Sequence, residues 1–237
     1  PIAHPRRRHR EGRGAACWPG GSGALGLPVS QPSSSRTPWR SSWDYIGSIC
    51  QVQFLVYFWK QSNSDRPCRI LELGYGTGLV ACMSFLEASN CQHQIDYTSL
   101  EAYPLTQTQL QELNYDSFFE ENSVPLSFRD FSDVDWEQRL LLSDYFKLTK
   151  NKIHFENYRN PQLFDVIYYD AFGAHAQPEL WESQWMKKCF ELLHPGGVWV
   201  SYCAKGSVRR GLAAAGFEVF RLAGPPGKRE MLRALKP

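Results

Sequence analysis

The sequence contains no apolar run long enough to cross a membrane. Its longest candidate, residues 45–59, is interrupted by Gln51 and Gln53 and is shorter than the roughly 20 residues that a transmembrane helix needs. The seven cysteines form no Cys-x-x-Cys pair, and no histidine stands at a spacing that suits zinc. We therefore predict no membrane span and no metal site, and we expect residues 45–59 to form a buried helix, or a helix and a strand, that leads into the core.

The net charge of only +2 conceals a segregation of charge along the chain. Residues 1–44 carry seven arginines against two carboxylates, and residues 45–204 carry 11 basic against 20 acidic side chains. Residues 205–237 then carry eight basic against two acidic side chains. A basic carboxyl end beside an acidic body indicates a local surface for a polyanion, although on charge alone a solvated basic face is the commoner explanation.

The first 42 residues lack any periodic apolar pattern and are rich in Arg, Pro, Gly and Ser, a composition typical of a disordered segment. An acid-poor, Arg- and Ser-rich leader is also typical of an organellar transit peptide, and a misassigned coding start would look the same. We predict a disordered leader over residues 1–42 and one folded domain over residues 43–237. The expected location is the cytoplasm, or an organelle if the leader is a transit peptide.

Three glycines spaced two residues apart, Gly74, Gly76 and Gly78, follow an apolar run and precede a stretch that suits a helix. This order predicts a strand, a tight turn and a helix, in which glycines permit close approach of a ligand and backbone angles that a Cβ forbids. A dinucleotide-binding loop has its third glycine five residues after the first, where Leu79 stands here. The turn thus disfavours a pyrophosphate site and a nicotinamide-dependent oxidoreductase, and leaves either another nucleotide-type pocket or a turn without a ligand.

The Glu-x-Gly-x-Gly-x-Gly sequence of this turn resembles the first motif of S-adenosylmethionine-dependent methyltransferases, whose ligand carries an adenosine and a methionine but no phosphate. A second predicted strand, residues 94–100, ends at Glu101, and a carboxylate in that position suits the two hydroxyls of a ribose. The expected cofactor contacts around the turn are Glu72, Gly74, Tyr75, Gly76, Gly78 and Glu101.

Strands alternate with helices along the rest of the chain. The predicted strands are residues 152–155, 164–169, 198–202, 217–222 and 230–234, and the predicted helices are residues 105–113, 136–146, 179–193 and 208–215. Residues 164–169 form a near-continuous apolar run, as in strands that are buried on both faces of a parallel sheet. The alternation predicts a doubly wound α/β sheet with right-handed crossovers.

Several stretches together resemble a narrower family, the methyltransferase domain of the tRNA 5-methylaminomethyl-2-thiouridine biosynthesis protein, including stand-alone relatives without its flavin oxidase domain. They are residues 71–79, 97–106, 164–181, 207–212 with 215–217, and 227–232. The Val-Arg-Arg-Gly-Leu and Lys-Arg-Glu-Met-Leu sequences within the last two are not required by a generic methyltransferase sheet. The resemblance implies a class I, Rossmann-like fold with a mostly parallel seven-stranded sheet and an antiparallel strand near the carboxyl end.

The resemblance also implies a function. It is methyl transfer from S-adenosylmethionine to the aminomethyl nitrogen of a modified wobble uridine in tRNA, the final step of 5-methylaminomethyl-2-thiouridine synthesis. Implied partners are tRNA and either a separate flavin oxidase or the enzymes that make the aminomethyl precursor. Asp170, at the end of the fourth parallel strand, is the implied base and a cofactor contact, unless it only caps the following turn. Glu156 and Asn157 are implied near the adenine.

Candidate contacts with the tRNA lie in the carboxyl-terminal half. Phe172 is an aromatic face for the extruded uridine, with Tyr169 and Trp181 as further stacking candidates or else core residues. His175 is a candidate contact to phosphate or substrate. The charged candidates are Arg209, Arg210, Lys228, Arg229 and Glu230, the last three from a segment that lies near the active site in the family.

The sequence departs from the family in two places. Ala174 and Ala176 occupy positions where proline and lysine are common. The family's Asp-Gly-Ser-type segment, which helps to wall the cofactor pocket, is missing, and residues 1–42 stand in its place with an unrelated composition. The second departure leaves one alternative function, a non-catalytic relative that keeps the fold and a surface for RNA or a partner.

Overall fold

An eight-stranded sheet organises the described part of the chain. The computed structural model describes residues 66–113, 127–169, 171, 177–224 and 230–237. The strands are β1 (Cys68–Leu73), β2 (Ile95–Leu100), β3 (Arg139–Ser143), β4 (Phe146–Asn151), β5 (Phe164–Tyr169), β6 (Leu193–Ser201), β7 (Glu218–Ala223) and β8 (Glu230–Leu235). The helices are α1 (Leu79–Cys91), α2 (Gln107–Gln111), α3 (Phe128–Ser132), α4 (Ser183–Leu192) and α5 (Gly206–Ala214), with 3₁₀ turns at Phe155–Asn157 and Pro178–Trp181.

The strand order in the sheet is β3-β4-β2-β1-β5-β6-β8-β7. Strands β4, β2, β1, β5 and β6 run parallel to one another, whereas β8 is antiparallel to both of its neighbours and β3 is antiparallel to β4. The predicted α/β fold, a mostly parallel sheet with an antiparallel strand near the carboxyl end, is confirmed. The described sheet has eight strands where seven were predicted, because β3 adds to its edge.

The prediction of a helix over residues 136–146 is wrong. Residues 139–143 form β3, which pairs with β4 in a hairpin that places Leu140 opposite Leu148. Ser143 and Asp144 are residue types that favour a turn, and they stand between two apolar stretches. The two stretches pair as strands, and this pairing decides the structure in place of the predicted helix. The prediction of a third strand over residues 152–155 is also wrong, because the strand that pairs with β2 and β3 is β4, which ends at Asn151, and a 3₁₀ turn begins at Phe155.

The two faces of the sheet carry two core clusters, as a doubly wound fold requires. Successive side chains of a strand alternate between the faces, so Ile70 packs with helix α1 while Leu71 and Leu73 pack on the side of α4 and α5. All six residues of β5 are buried, as its apolar sequence predicts. Because helices cover both faces, a site can form where the carboxyl ends of the parallel strands meet, which we call the site edge of the sheet.

That edge collects the candidate site residues. The glycine turn follows β1, Glu101 follows β2, the Phe155–Asn157 turn comes after β4, and helix α5 follows β6. Because β8 is antiparallel to β6, its first residue lies at this edge too. The fold thus brings together segments that are up to about 160 residues apart in the sequence.

The predictions made for the first 65 residues lie outside the described part of the chain: the leader over residues 1–42, the domain start at residue 43, and the apolar element at residues 45–59. In the described ranges no helix is long and apolar enough to span a membrane. Within the same ranges no three His, Cys, Asp or Glu side chains are grouped so that they could hold a metal ion.

Candidate functional site

The turn after β1 has the left-handed backbone that only glycine adopts easily. The φ angles of Gly74, Gly76 and Gly78 are 91°, 51° and 79°. The N–H of Gly74 donates to the Leu100 carbonyl oxygen at 2.9 Å, which fixes the turn against the end of β2. A Cβ built on Gly76 would meet no atom within 4 Å, so there is open space beside the turn for a ligand.

The carboxylate of Glu101 is held against this turn by backbone donors. Its Oε2 accepts from the N–H of Gly76 at 3.0 Å, and its Oε1 accepts from the N–H of Tyr103 at 2.9 Å. Glu101 is only 9% exposed, so its position is fixed. Each carboxylate oxygen keeps a further lone pair, and two acceptors so placed suit a pair of neighbouring hydroxyls such as those of a ribose.

Glu72 and Tyr75, the other expected contacts around the turn, are buried. The Oε2 of Glu72 accepts from the Ser99 hydroxyl at 2.6 Å, beneath the turn on the α1 face of the sheet. Tyr75 is 6% exposed, and its ring lies edge-on to Trp136 with the ring centroids 5.7 Å apart. Burial, followed by the nearby Glu72 carboxylate, raises the pKa of Tyr75 well above its ordinary value, so the phenol is neutral.

Lys150 of β4, which was not singled out from the sequence, is a buried lysine beneath the same turn. It is 1% exposed, and its Nζ donates to the Ser132 carbonyl oxygen at 2.9 Å. The ammonium lies 5.3 Å from the ring centroid of Tyr75 and 4.9 Å from that of Trp136, within the range of cation–π attraction. The residue therefore joins the hairpin strand β4 to the glycine turn.

The 3₁₀ turn at Phe155–Asn157 lies beside Glu101. The N–H of Ile153, shortly before the turn, donates to the Glu101 carbonyl oxygen at 3.1 Å. The Oε2 of Glu156 is 4.0 Å from Nδ1 of His154, whose ring lies edge-on to Tyr103 with the centroids 5.4 Å apart. The structure thus brings Glu156 and Asn157 to the same edge of the sheet as Glu101 and the glycine turn.

Tyr103 and His154 were not singled out from the sequence. Tyr103 is 66% exposed, which is unusual for a large aromatic residue. The available signal was its place two residues after a strand-terminal glutamate. This exposed pair adds an aromatic surface to the edge that carries Glu101.

Tyr169 and Trp181, named as stacking candidates or core residues, belong to the core. They are 0% and 8% exposed, with ring centroids 5.1 Å apart. The Tyr169 hydroxyl donates to the Leu180 carbonyl oxygen, and its ring also packs against Trp199. Their faces are therefore covered by protein.

The charged candidates are only partly described. Arg209 and Arg210 are exposed on helix α5. Glu230, at the start of β8, forms an ion pair with Arg221 at 3.4 Å. Strand β8 is three positions from β1 in the sheet, which is about 14 Å at the usual strand spacing. The candidates Asp170, Phe172, His175, Lys228 and Arg229 lie outside the described residues.

Comparison with known proteins adds to this geometry. Residues 111–237 match a family model described as S-adenosyl-L-methionine-dependent methyltransferase. The chain is 32% identical over 182 residues to the tRNA 5-methylaminomethyl-2-thiouridine biosynthesis bifunctional protein MnmC of Hydrogenovibrio crunogenus, covering 71% of this chain and 26% of that protein. It is 33% identical over 168 residues to MnmC of Ectopseudomonas mendocina, covering 68% of this chain and 26% of that protein. The chain thus spans about a quarter of the length of these relatives.

A solved structure shares the fold. The crystal structure of MNMC2 from Aquifex aeolicus superimposes with a TM-score of 0.57, at 21% identity, over 80% of this chain and 59% of that one. The resemblance inferred from residues 71–79 and the four further stretches is thereby confirmed, both in sequence and in fold.

Proposed function

We propose, because this chain belongs to a family of S-adenosyl-L-methionine-dependent methyltransferases, that it methylates the aminomethyl nitrogen of a modified wobble uridine in tRNA. The substrate is proposed from the relatives, which are named for the biosynthesis of tRNA 5-methylaminomethyl-2-thiouridine. On this proposal the domain begins near residue 43, acts in the cytoplasm, and receives its tRNA from the enzymes that make the aminomethyl precursor.

The observation that carries the proposal is the hydrogen bond from the N–H of Gly76 to Glu101. It joins an open glycine turn to a fixed carboxylate, and the two suit a nucleoside without phosphates. Gly74, Gly76, Gly78 and Glu101 would hold S-adenosylmethionine, with Glu156 and Asn157 on the adenine side and Glu72 and Tyr75 supporting the turn from below. The cofactor supplies a methyl group activated by its sulfonium.

The acceptor nitrogen must be a free amine to react, so a base at the site is required. Asp170 is proposed for this role because it follows Tyr169 directly in the sequence, after the parallel strand β5. Tyr169 is fully buried and its hydroxyl is bonded to the Leu180 carbonyl, so the strand end before Asp170 is firmly held. Asp170 would orient the amine and accept its proton.

Basic side chains are proposed to hold the tRNA backbone. Arg209 and Arg210 are exposed on α5, which starts at the site edge of the sheet, and Lys228 and Arg229 precede β8, which starts at the same edge. Arginine pairs with phosphate through charge-assisted hydrogen bonds. Phe172 and His175 follow Asp170 in the sequence, and they are proposed, with Glu230, to contact the uridine.

The test is an assay of methyl transfer. The protein is incubated with S-adenosylmethionine labelled in the methyl group and with tRNA that carries the aminomethyl but not the methylaminomethyl uridine. Digestion to nucleosides should place the label on the wobble uridine alone. Calorimetric binding of S-adenosylmethionine and tRNA without transfer would instead support the non-catalytic alternative, and absence of cofactor binding at millimolar concentration would overturn the enzyme assignment.

A further inference from the structure

The ammonium group of Lys188 lies where helix α4 meets the 3₁₀ turn at Phe155–Asn157. Its Nζ donates to the carbonyl oxygen of Phe155 and, at 3.4 Å, to that of Glu156. The same group is 4.4 Å from the ring centroid of Phe155, within cation–π range. One side chain of α4 therefore holds two successive carbonyl groups and the aromatic ring of the turn.

A second cation holds the turn from its carboxyl side. Arg159 donates to the Glu156 carbonyl oxygen at 2.5 Å and to the Tyr158 carbonyl oxygen at 2.9 Å. The turn itself is a single 3₁₀ turn of three residues, in which the N–H of Asn157 donates to the His154 carbonyl at 3.0 Å. Because so short a 3₁₀ segment has little stability of its own, its position depends on these side-chain donors.

The ring of Phe155 packs against the end of β5. Phe155 is 5% exposed and lies edge-on to Tyr169, the last residue of β5, with centroids 6.2 Å apart. Its ring also packs against Trp185 of α4 at 5.7 Å, and Trp185 donates to the Glu179 carbonyl oxygen at 2.8 Å. Phe155, which Lys188 contacts, therefore links the turn to the end of β5 and to the segment that leads into α4.

The neighbouring lysine provides a contrast within the same helix. The Lys187 side chain is 74% exposed, and its contact with Glu191 is an ion pair at 4.0 Å on the surface of α4. Lys188 is half-buried, and burial followed by the charge of Arg159 lowers its pKa. The two lysines differ in what they contact, not in their intrinsic helix propensity.

We propose that Lys188 is a positioning residue for the cofactor: by fixing the carbonyl groups of Phe155 and Glu156, it sets where the side chains of Glu156 and Asn157 lie relative to Glu101. The inference rests on the proposed function, since it takes this turn to be part of the cofactor site. The hydrogen bonds and cation–π contacts of Lys188 go to the turn and to Trp185 of its own helix, so it acts on the cofactor through Glu156 and Asn157.

The first experiment uses the cofactor-free protein. Amide hydrogen exchange is measured for Asn157 and Tyr158, with the central amides of Val166 and Val200 reporting on the sheet. Lys188→Met should make exchange at Asn157 and Tyr158 roughly tenfold faster and leave the sheet amides unchanged. The matched variant Lys187→Met should leave all four unchanged. Unchanged exchange at Asn157 in Lys188→Met overturns the proposal.

The second experiment measures cofactor affinity by calorimetry. Lys188→Met should weaken S-adenosylmethionine binding roughly tenfold with little change in kcat, and Lys188→Arg, which keeps the cation and its donors, should recover most of the affinity. In a Glu156→Gln background, Lys188→Met should weaken binding by a smaller factor than in the unmodified protein, because only Asn157 is then left for Lys188 to act through. If the loss of binding free energy in the double variant equals the sum of the losses in the two single variants, Lys188 does not act through Glu156. If the unmodified protein binds no S-adenosylmethionine, the proposed function fails, and the exchange experiment still decides whether Lys188 fixes the turn.

Discussion

The guanidinium of Arg66 forms two hydrogen bonds with the carboxylate of Asp165, at 2.7 and 2.5 Å. The backbone N–H of Arg69 donates to the same carboxylate at 2.9 Å. Asp165 is 1% exposed and stands near the start of β5, and Arg66 stands two residues before the start of β1. The ion pair therefore aligns these two central strands at the edge of the sheet opposite the glycine turn.

Replacement of Arg66 by methionine should destabilise the protein without weakening its cofactor site. Arg66→Met leaves a buried carboxylate with one backbone donor, so we expect the free energy of unfolding in urea to fall by about 1–3 kcal/mol. The control is Arg139→Met, which breaks the exposed pair with Asp96 at 2.6 Å and should cost less than about 1 kcal/mol. An equal fall in the free energy of unfolding in the two variants would show that the burial of Asp165 does not strengthen its ion pair.

Substitution of Gly78 should cost more than backbone strain alone. A Cβ at Gly78 would lie 2.7 Å from the Tyr75 hydroxyl oxygen, and the Tyr75 ring is held by Trp136 and Lys150. Gly196 has a similar φ, 77° against 79°, but a Cβ there meets nothing within 4 Å. Gly196→Ala should cost about 1 kcal/mol of unfolding free energy and Gly78→Ala about 1–3 kcal/mol more. The same loss at both positions would show that Tyr75 moves aside freely.

The glycine turn could be predicted from the sequence because its conformational requirement is local. Gly74, Gly76 and Gly78 need left-handed backbone angles whatever surrounds them. Glu101 could be placed as well, since the carboxyl ends of neighbouring parallel strands meet at one edge of a sheet. These inferences required only the order of strands and turns.

The aromatic contacts of Lys150 could not be predicted in the same way. Its partners Tyr75 and Trp136 are 75 and 14 residues away in the sequence. One signal was available. Lys150 stands two and four residues after Leu148 and Phe146, so the three side chains lie on the same, buried face of β4. The signal was missed because the strand itself was placed at residues 152–155, so its alternation could not be read.

Loss of the Glu101 carboxylate should weaken cofactor binding. In Glu101→Gln one acceptor oxygen becomes an amide donor that faces the N–H of Gly76 or Tyr103, so the turn loses a hydrogen bond. We expect calorimetric affinity for S-adenosylmethionine to fall roughly 10- to 100-fold. Glu137→Gln is the matched control, because Glu137 also accepts a backbone N–H, that of Lys152 at 2.6 Å rather than one of the glycine turn. Wild-type affinity in Glu101→Gln would remove Glu101 from the cofactor site.

Asp170→Asn tests the proposed base separately from the cofactor site. An amide cannot accept the proton of the amine, so methyl transfer should fall by roughly 10² or more while S-adenosylmethionine affinity stays nearly unchanged. The surface substitution Asp144→Asn, in the turn between β3 and β4, should change neither quantity. Full transfer activity in Asp170→Asn would assign proton removal to another group.

Lys150 should make stability depend on pH in the alkaline range. Burial lowers its pKa from 10.5 to about 8, and the charges of Asp133 and Asp135 oppose this shift. Below pH 8 both the folded and the unfolded chain carry the proton. Between about pH 8 and 10.5 the folded protein has lost it and the unfolded chain keeps it, so unfolding takes up a proton and becomes less favourable as the pH rises.

The free energy of unfolding should therefore rise across this window by on the order of 3 kcal/mol from Lys150 alone. Lys150→Met removes the titrating group, so the difference between the two proteins should grow as the pH increases from 8 to 10.5 in urea titrations. Lys147→Met, at an exposed position of the same strand, keeps Lys150 and should follow the unmodified protein at every pH. Parallel curves for the unmodified protein and Lys150→Met would mean that burial does not lower the pKa of Lys150, because the Ser132 carbonyl and the two rings stabilise its ammonium as well as water does.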